Sequence, residues 1–122
     1  MNSSRIRIAA IVLFLGVALG AFGAHALEDL IVANDRIATW DTAVLYHLVH
    51  GVALFIIAVT APRSRSFFFL LAGVIIFSGS LYALSLTGIT KLGAITPIGG
   101  LCFLIGWFLW ILSPGKQADT RS

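Results

Sequence analysis

Residues 43–61, Ala-Val-Leu-Tyr-His-Leu-Val-His-Gly-Val-Ala-Leu-Phe-Ile-Ile-Ala-Val-Thr-Ala, carry no Asp, Glu, Lys or Arg over 19 positions. A helix of that length crosses the roughly 30 Å hydrocarbon core of a bilayer at about 1.5 Å per residue. Three further stretches share the property: residues 8–24, 67–86 and 94–112, with 17, 20 and 19 positions. All 13 charged residues lie outside these four runs. A charge near the bilayer centre costs several kcal/mol, so the segregation predicts membrane-spanning helices. The expected fold class is an all-α membrane protein, a four-transmembrane-helix antiparallel bundle. It forms a single integral membrane domain over 1–122, with helices at approximately 6–25, 36–61, 67–86 and 94–112 and an outward connection at 26–35. The short alternating segments of a β-barrel are not visible in runs this continuous.

Composition agrees. The chain has 122 residues, of which 59% are hydrophobic and 11% charged, and its mean hydropathy is +1.02. A soluble domain carries about 25% charged residues, which excludes a water-soluble monomer as well as disorder. The net charge of +3 comes from eight Lys and Arg without a basic block, so no nucleic-acid partner is expected. Cys102 is the single cysteine and leaves the redox compartment undetermined.

Charge placement predicts the orientation. Arg5, Arg7, Arg63, Arg65, Lys116 and Arg121 fall on one side, with Asp119; Arg36 and Lys91 fall on the other, with Glu28, Asp29, Asp35 and Asp41. The basic side belongs in the cytoplasm, which places both termini there. Pro62 should end the second helix in a tight hairpin with the third. Ala24-His25-Ala26 after an apolar run resembles a signal-peptide cleavage site, but the run is long for an h-region. Gly16 and Gly20 form a small-residue face suited to helix packing, so a retained first helix is the better reading. Leu27, Leu30 and Ile31 could line one side of a short interfacial helix with Glu28 and Asp29 on its wet side, and Asp35 then reads as the N-cap of the second helix. Trp40 and Trp110 read as anchors at opposite membrane interfaces, with Trp107 near the inner surface.

The candidate site is a polar layer towards the outer side. Trp40, Asp41, Tyr46, His47 and His50 fall within 11 positions, and His47 and His50 share a helix face. An imidazole inside the membrane should point into the bundle and find a partner. Ser78, Ser80 and Tyr82 in the third helix, Gly99 and Gly100 in the fourth, and His25 and Glu28 after the first lie at matching depth. The favoured reading is a structural or accessory bundle in which these groups set helix register. A second reading is a small-molecule or ion transporter subunit that uses His50, the one deep titratable group. A third is an outward-facing metal or ligand site, with His25, His47 and His50 as weak metal ligands and Glu28 able to complete the set. Ser78 or Ser80 as a nucleophile would need an oxyanion site that the sequence does not reveal, so no enzyme activity and no cofactor are expected. The expected partners are the lipid bilayer and a second copy or a larger membrane complex.

Gly20-Ala21-Phe22-Gly23-Ala24-His25-Ala26-Leu27, Trp40-Asp41-Thr42-Ala43 with Tyr46-His47 and His50, Phe77 to Leu84, and Leu92 to Gly100 with Gly106-Trp107 resemble the small membrane-protein family termed domain of unknown function 423. The resemblance covers roughly Ala21 to Trp107. It implies a small multi-pass protein of the bacterial inner membrane, from a family that also has eukaryotic relatives and no established reaction, and it directs interest to His25, Trp40, Asp41, His47, His50, Ser78 and Ser80.

Overall fold

The computed structural model describes residues 3–112 and is helical throughout its main elements. In chain order these are α1 (Ser3–Gly23), α2 (Glu28–Ala33), α3 (Ile37–Thr60), α4 (Ser66–Thr87) and α5 (Thr96–Leu112). A helical turn at Ala24–Ala26 precedes α2, and a 3₁₀ turn at Thr90–Ala94 leads into α5. Four of the helices are long and apolar enough to cross a membrane. Successive ones run in opposite directions, as the pairings of Val12 with His47 and Leu19 with Trp40, of Ala43 with Ser78, and of Thr96 with Ser80 and Gly106 with Leu70 show. Lys116, Asp119 and Arg121 lie outside the described residues, as does the tail after Leu112.

Proline chemistry shapes both ends of the central hairpin region. The residue before a proline is pushed out of the helical region, and Ala61 accordingly takes φ −139° and ψ 67°, which stops α3 at Thr60. Pro97 sits at the start of α5, where a missing N–H costs least. The tight connection between α3 and α4 also holds the first helix. Arg5 Nη1 donates to the Ser64 carbonyl at 2.8 Å, and the guanidinium lies 5.1 and 4.6 Å from the ring centres of Phe67 and Phe68. With Arg5 so engaged, α1 begins at Ser3, ahead of the expected start near residue 6.

The α2 to α3 connection corrects the sequence reading of Asp35. Its φ is +55°, and the Asp35 and Arg36 amides donate to Val32 and Ile31 carbonyls, both at 2.9 Å. That is a Schellman closure, with Asp35 in the left-handed position that glycine usually fills. The residue capping α3 is therefore Arg36, without a side-chain bond. Asn34 turns its amide to the Ser85 carbonyl at 2.9 Å, which ties this connection to the end of α4. There Gly88 takes φ 72° and its amide bonds the Leu84 carbonyl, a left-handed helix stop.

α1 packs chiefly along α3, and α5 along α4, so α3 and α4 form the centre and bury the larger share of their surface. Buried Ala9, Val12, Leu54, Ile57, Phe67, Leu70, Val74 and Phe103 make an apolar core towards the Arg-rich end. A smaller cluster of Ala43, Leu81 and Leu84 lies towards the other end. Both α1 and α4 contain a widened π turn, at Leu19–Gly23 and Val74–Ser78.

Candidate functional site

The buried polar residues of the layer are distributed over helix contacts, and each one is committed to a bond. His47, 5% exposed on α3, joins three helices: Nε2 donates to the Val12 carbonyl of α1 at 2.7 Å, and Nδ1 meets the Tyr82 hydroxyl of α4 at 2.8 Å. A carbonyl only accepts, so the Val12 bond places a proton on Nε2 and the lone pair of the neutral ring on Nδ1, where the tyrosine O–H donates. His50, 7% exposed, has the opposite arrangement. Its Nδ1 donates to the Tyr46 carbonyl one turn back at 2.9 Å, and its Nε2 accepts from Trp107 Nε1 of α5 at 3.0 Å. An indole nitrogen only donates, so both ends of this imidazole are committed and the ring is neutral.

An aromatic stack surrounds His50. Its ring lies 3.8 Å from that of Phe103 at 18°, and Tyr46 packs on Phe77 at 4.5 Å. Tyr46 itself is 39% exposed, on the outside of the stack. Trp107 corrects the sequence reading, which put it near the inner surface: it meets His50, which lies past the middle of a 24-residue helix. The polar set thus reaches deeper than an outer layer. The signal that could have found this is chemical, since an indole N–H within a lipid-crossing helix needs an acceptor at its own depth.

Serines complete the connections. Ser78 donates to the Ala43 carbonyl at 2.8 Å, joining α4 to α3. Ser80 shares a 2.6 Å bond with Thr96 at the start of α5 and also reaches the Phe77 carbonyl at 3.0 Å. Sequence reasoning missed Thr96 and Phe103 as partners in these contacts, because neither stands out in an apolar run. Gly99 packs directly on the backbone of Phe77 in the π turn of α4, where a Cβ would stand 2.7 Å from Phe77 Cα. Gly100 is different, with its nearest neighbour, a Phe77 ring carbon, at 3.9 Å from the same hypothetical atom.

At the end carrying α2, the remaining candidates form a separate place. Trp40 is 2% exposed and its Nε1 donates to the Leu19 carbonyl at 3.2 Å, in the π turn of α1. It is thus a buried clasp between α1 and α3, where an interfacial anchor was expected. Beside it, His25, Glu28, Ile31, Ile37, Trp40 and Asp41 line a cavity of about 240 Å³. Ile31 is buried while Leu30 is exposed, so α2 turns a narrower apolar edge inward than the expected stripe. The structure does not bring His25 together with His47 and His50 as a ligand set. Among the described residues no three His, Cys, Asp or Glu side chains are grouped to hold a metal ion.

The family model described as "Protein of unknown function (DUF423)" matches residues 19–100 of this chain. Among curated relatives, the UPF0382 membrane protein YwdK of Bacillus subtilis is 42% identical, over 91% of this chain and 95% of its own length. A UPF0382 membrane protein of Staphylococcus haemolyticus is 43% identical, over 91% of this chain and 94% of its own. One of Haemophilus influenzae is 40% identical, over 88% and 90% respectively. No solved structure matches the chain.

Proposed function

The chain belongs to the DUF423 family of small multi-pass membrane proteins, and from that premise we infer that it serves as a structural or accessory helical bundle of the bacterial inner membrane. The observation that carries this reading is the pairing of the layer: His47, His50, Trp107, Trp40, Ser78 and Ser80 all bond across helix contacts. Helices in lipid gain little from apolar burial against one another, so interhelical bonds of about 0.6 to 2 kcal/mol each select one packing. A rigid, register-fixed bundle is the property that an accessory subunit needs when it docks on a larger membrane complex. The neutral, doubly committed His50 supports this reading over proton-coupled transport, because a second proton on that ring would face the N–H of Trp107.

The basic residues Arg5, Arg7, Arg63 and Arg65 would face the cytoplasm, and the cavity beside α2 the outside. The test is crosslinking in native membranes with photoreactive residues placed on the lipid-facing sides of α1 and α5, at Phe14 and Leu104. A reproducible protein partner is expected. Crosslinks to lipid alone, together with proton-driven flux in reconstituted vesicles that His50→Phe abolishes, would overturn the proposal in favour of transport.

A further inference from the structure

Beyond the packing described above, the molecule carries a concavity of mixed chemistry, the 240 Å³ cavity between α2, the start of α3 and the His25 turn. Its base is apolar: Trp40 and Ile31 are almost fully buried, and Ile37 continues the wall. Its rim holds two carboxylates, Glu28 and Asp41, and the imidazole of His25. Among the described residues these three side chains make no hydrogen bond or ion pair, in contrast to the doubly bonded His47 and His50. No Lys or Arg side chain lines the cavity, so no fixed positive charge stands in its wall beside the two acids.

We propose that this cavity binds a small protonated amine with an apolar body. The ammonium sits between Glu28 and Asp41 at the rim, where charge-assisted hydrogen bonds are strongest, and the body rests on Ile31, Ile37 and Trp40. A bare metal ion fits poorly, since the side chains are not grouped to ligate one. The cavity is smaller than the roughly 300 to 1,000 Å³ of drug-sized sites, which suits an amine of a few carbons or one ring. Such an ammonium is offered by a free solute and also by the ethanolamine head of a phospholipid.

The test follows the indole ¹⁵N–H signals of the full chain in nanodiscs made of phosphatidylglycerol, which contains no amine. Trp40 is assigned by elimination with Trp107→Phe and Trp110→Phe. Benzylammonium is expected to shift the Trp40 signal saturably and to leave Trp107 in place, while benzyl alcohol at the same concentrations does not saturate it. In the Glu28→Gln/Asp41→Asn double variant the affinity should fall about tenfold or more, the loss of at least one charge-assisted bond. Should that variant fail to show the native Trp107 signal, Asp41→Asn alone carries the comparison. Replacing half of the lipid with phosphatidylethanolamine separates the sources: a Trp40 signal already shifted, with weakened benzylammonium binding, assigns the site to the lipid head, and unchanged binding assigns it to a solute. Absence of a saturable shift, an equal response to benzyl alcohol, or unaltered affinity in the carboxylate variants would each overturn the proposal.

Discussion

An indole nitrogen donates and never accepts, and this asymmetry makes Trp107 and His50 a testable pair. Removing either partner leaves the other polar atom in a site that lipid cannot satisfy. Trp107→Phe and His50→Leu should each destabilise the bundle, and a double-mutant cycle should return a coupling of about 0.6 to 2 kcal/mol by reversible unfolding in mixed micelles. The two imidazoles should also differ by spectroscopy. ¹⁵N signals are expected to place the proton of His47 on Nε2 and that of His50 on Nδ1; the same tautomer at both would contradict the bonding described for Val12 and Tyr46. The glycine pair offers a second contrast at this scale. A Cβ at Gly99 collides with the backbone of α4, whereas at Gly100 it meets only ordinary contact. Gly99→Ala should therefore cost about 1 to 3 kcal/mol, and Gly100→Ala should stay within about 0.5 kcal/mol, in the same unfolding measurement.

At the scale of elements, the helix stops follow backbone conformation more than side-chain capping. Asp35 and Gly88 both take positive φ, one without the freedom that glycine has. Asp35→Gly is expected to stabilise the protein by about 0.5 to 1 kcal/mol, and Asp35→Val to destabilise it. A melting temperature that falls with glycine would show that the Asp35 side chain contributes in its own right. The same position shows where sequence reasoning divides. Asp before an apolar run is equally suited to capping the next helix and to closing the previous one, and the Arg36 amide bond to Ile31 decides for closure. The π turns had no sequence signal either, because Leu19–Gly23 and Val74–Ser78 read as uninterrupted helix. Each coincides with a close contact from a neighbouring helix: Trp40 bonds the Leu19 carbonyl, and Gly99 packs on Phe77.

At the scale of the molecule, the four crossings were open to reading because hydropathy and charge act over whole segments and tolerate local error. His47, His50, Ser78 and Ser80 were likewise identifiable as buried polar groups that needed partners. Their partners were not, since depth counted along separate helices ignores tilt, and Trp107 lies further from the inner surface than such counting put it. Orientation is open to direct measurement. With Cys102 replaced by Ala, a cysteine at Glu28 should react with a membrane-impermeant thiol reagent added to intact cells, and one at Arg65 only after lysis. The reverse pattern would invert the proposed topology.

The grip of Arg5 on the Ser64 carbonyl has a consequence in time. The two residues are 59 positions apart, and the rings beneath the guanidinium belong to Phe67 and Phe68. During synthesis the first helix emerges and enters the bilayer long before its anchor exists. It can settle against α3 when that helix arrives, but its inner end stays unlatched until the turn and the opening residues of α4 have left the ribosome. A segment that reaches the membrane ahead of α3 and α4 is thus locked only after both have begun to arrive, and nascent chains halted before Ser64 should hold α1 by its contacts with α3 alone.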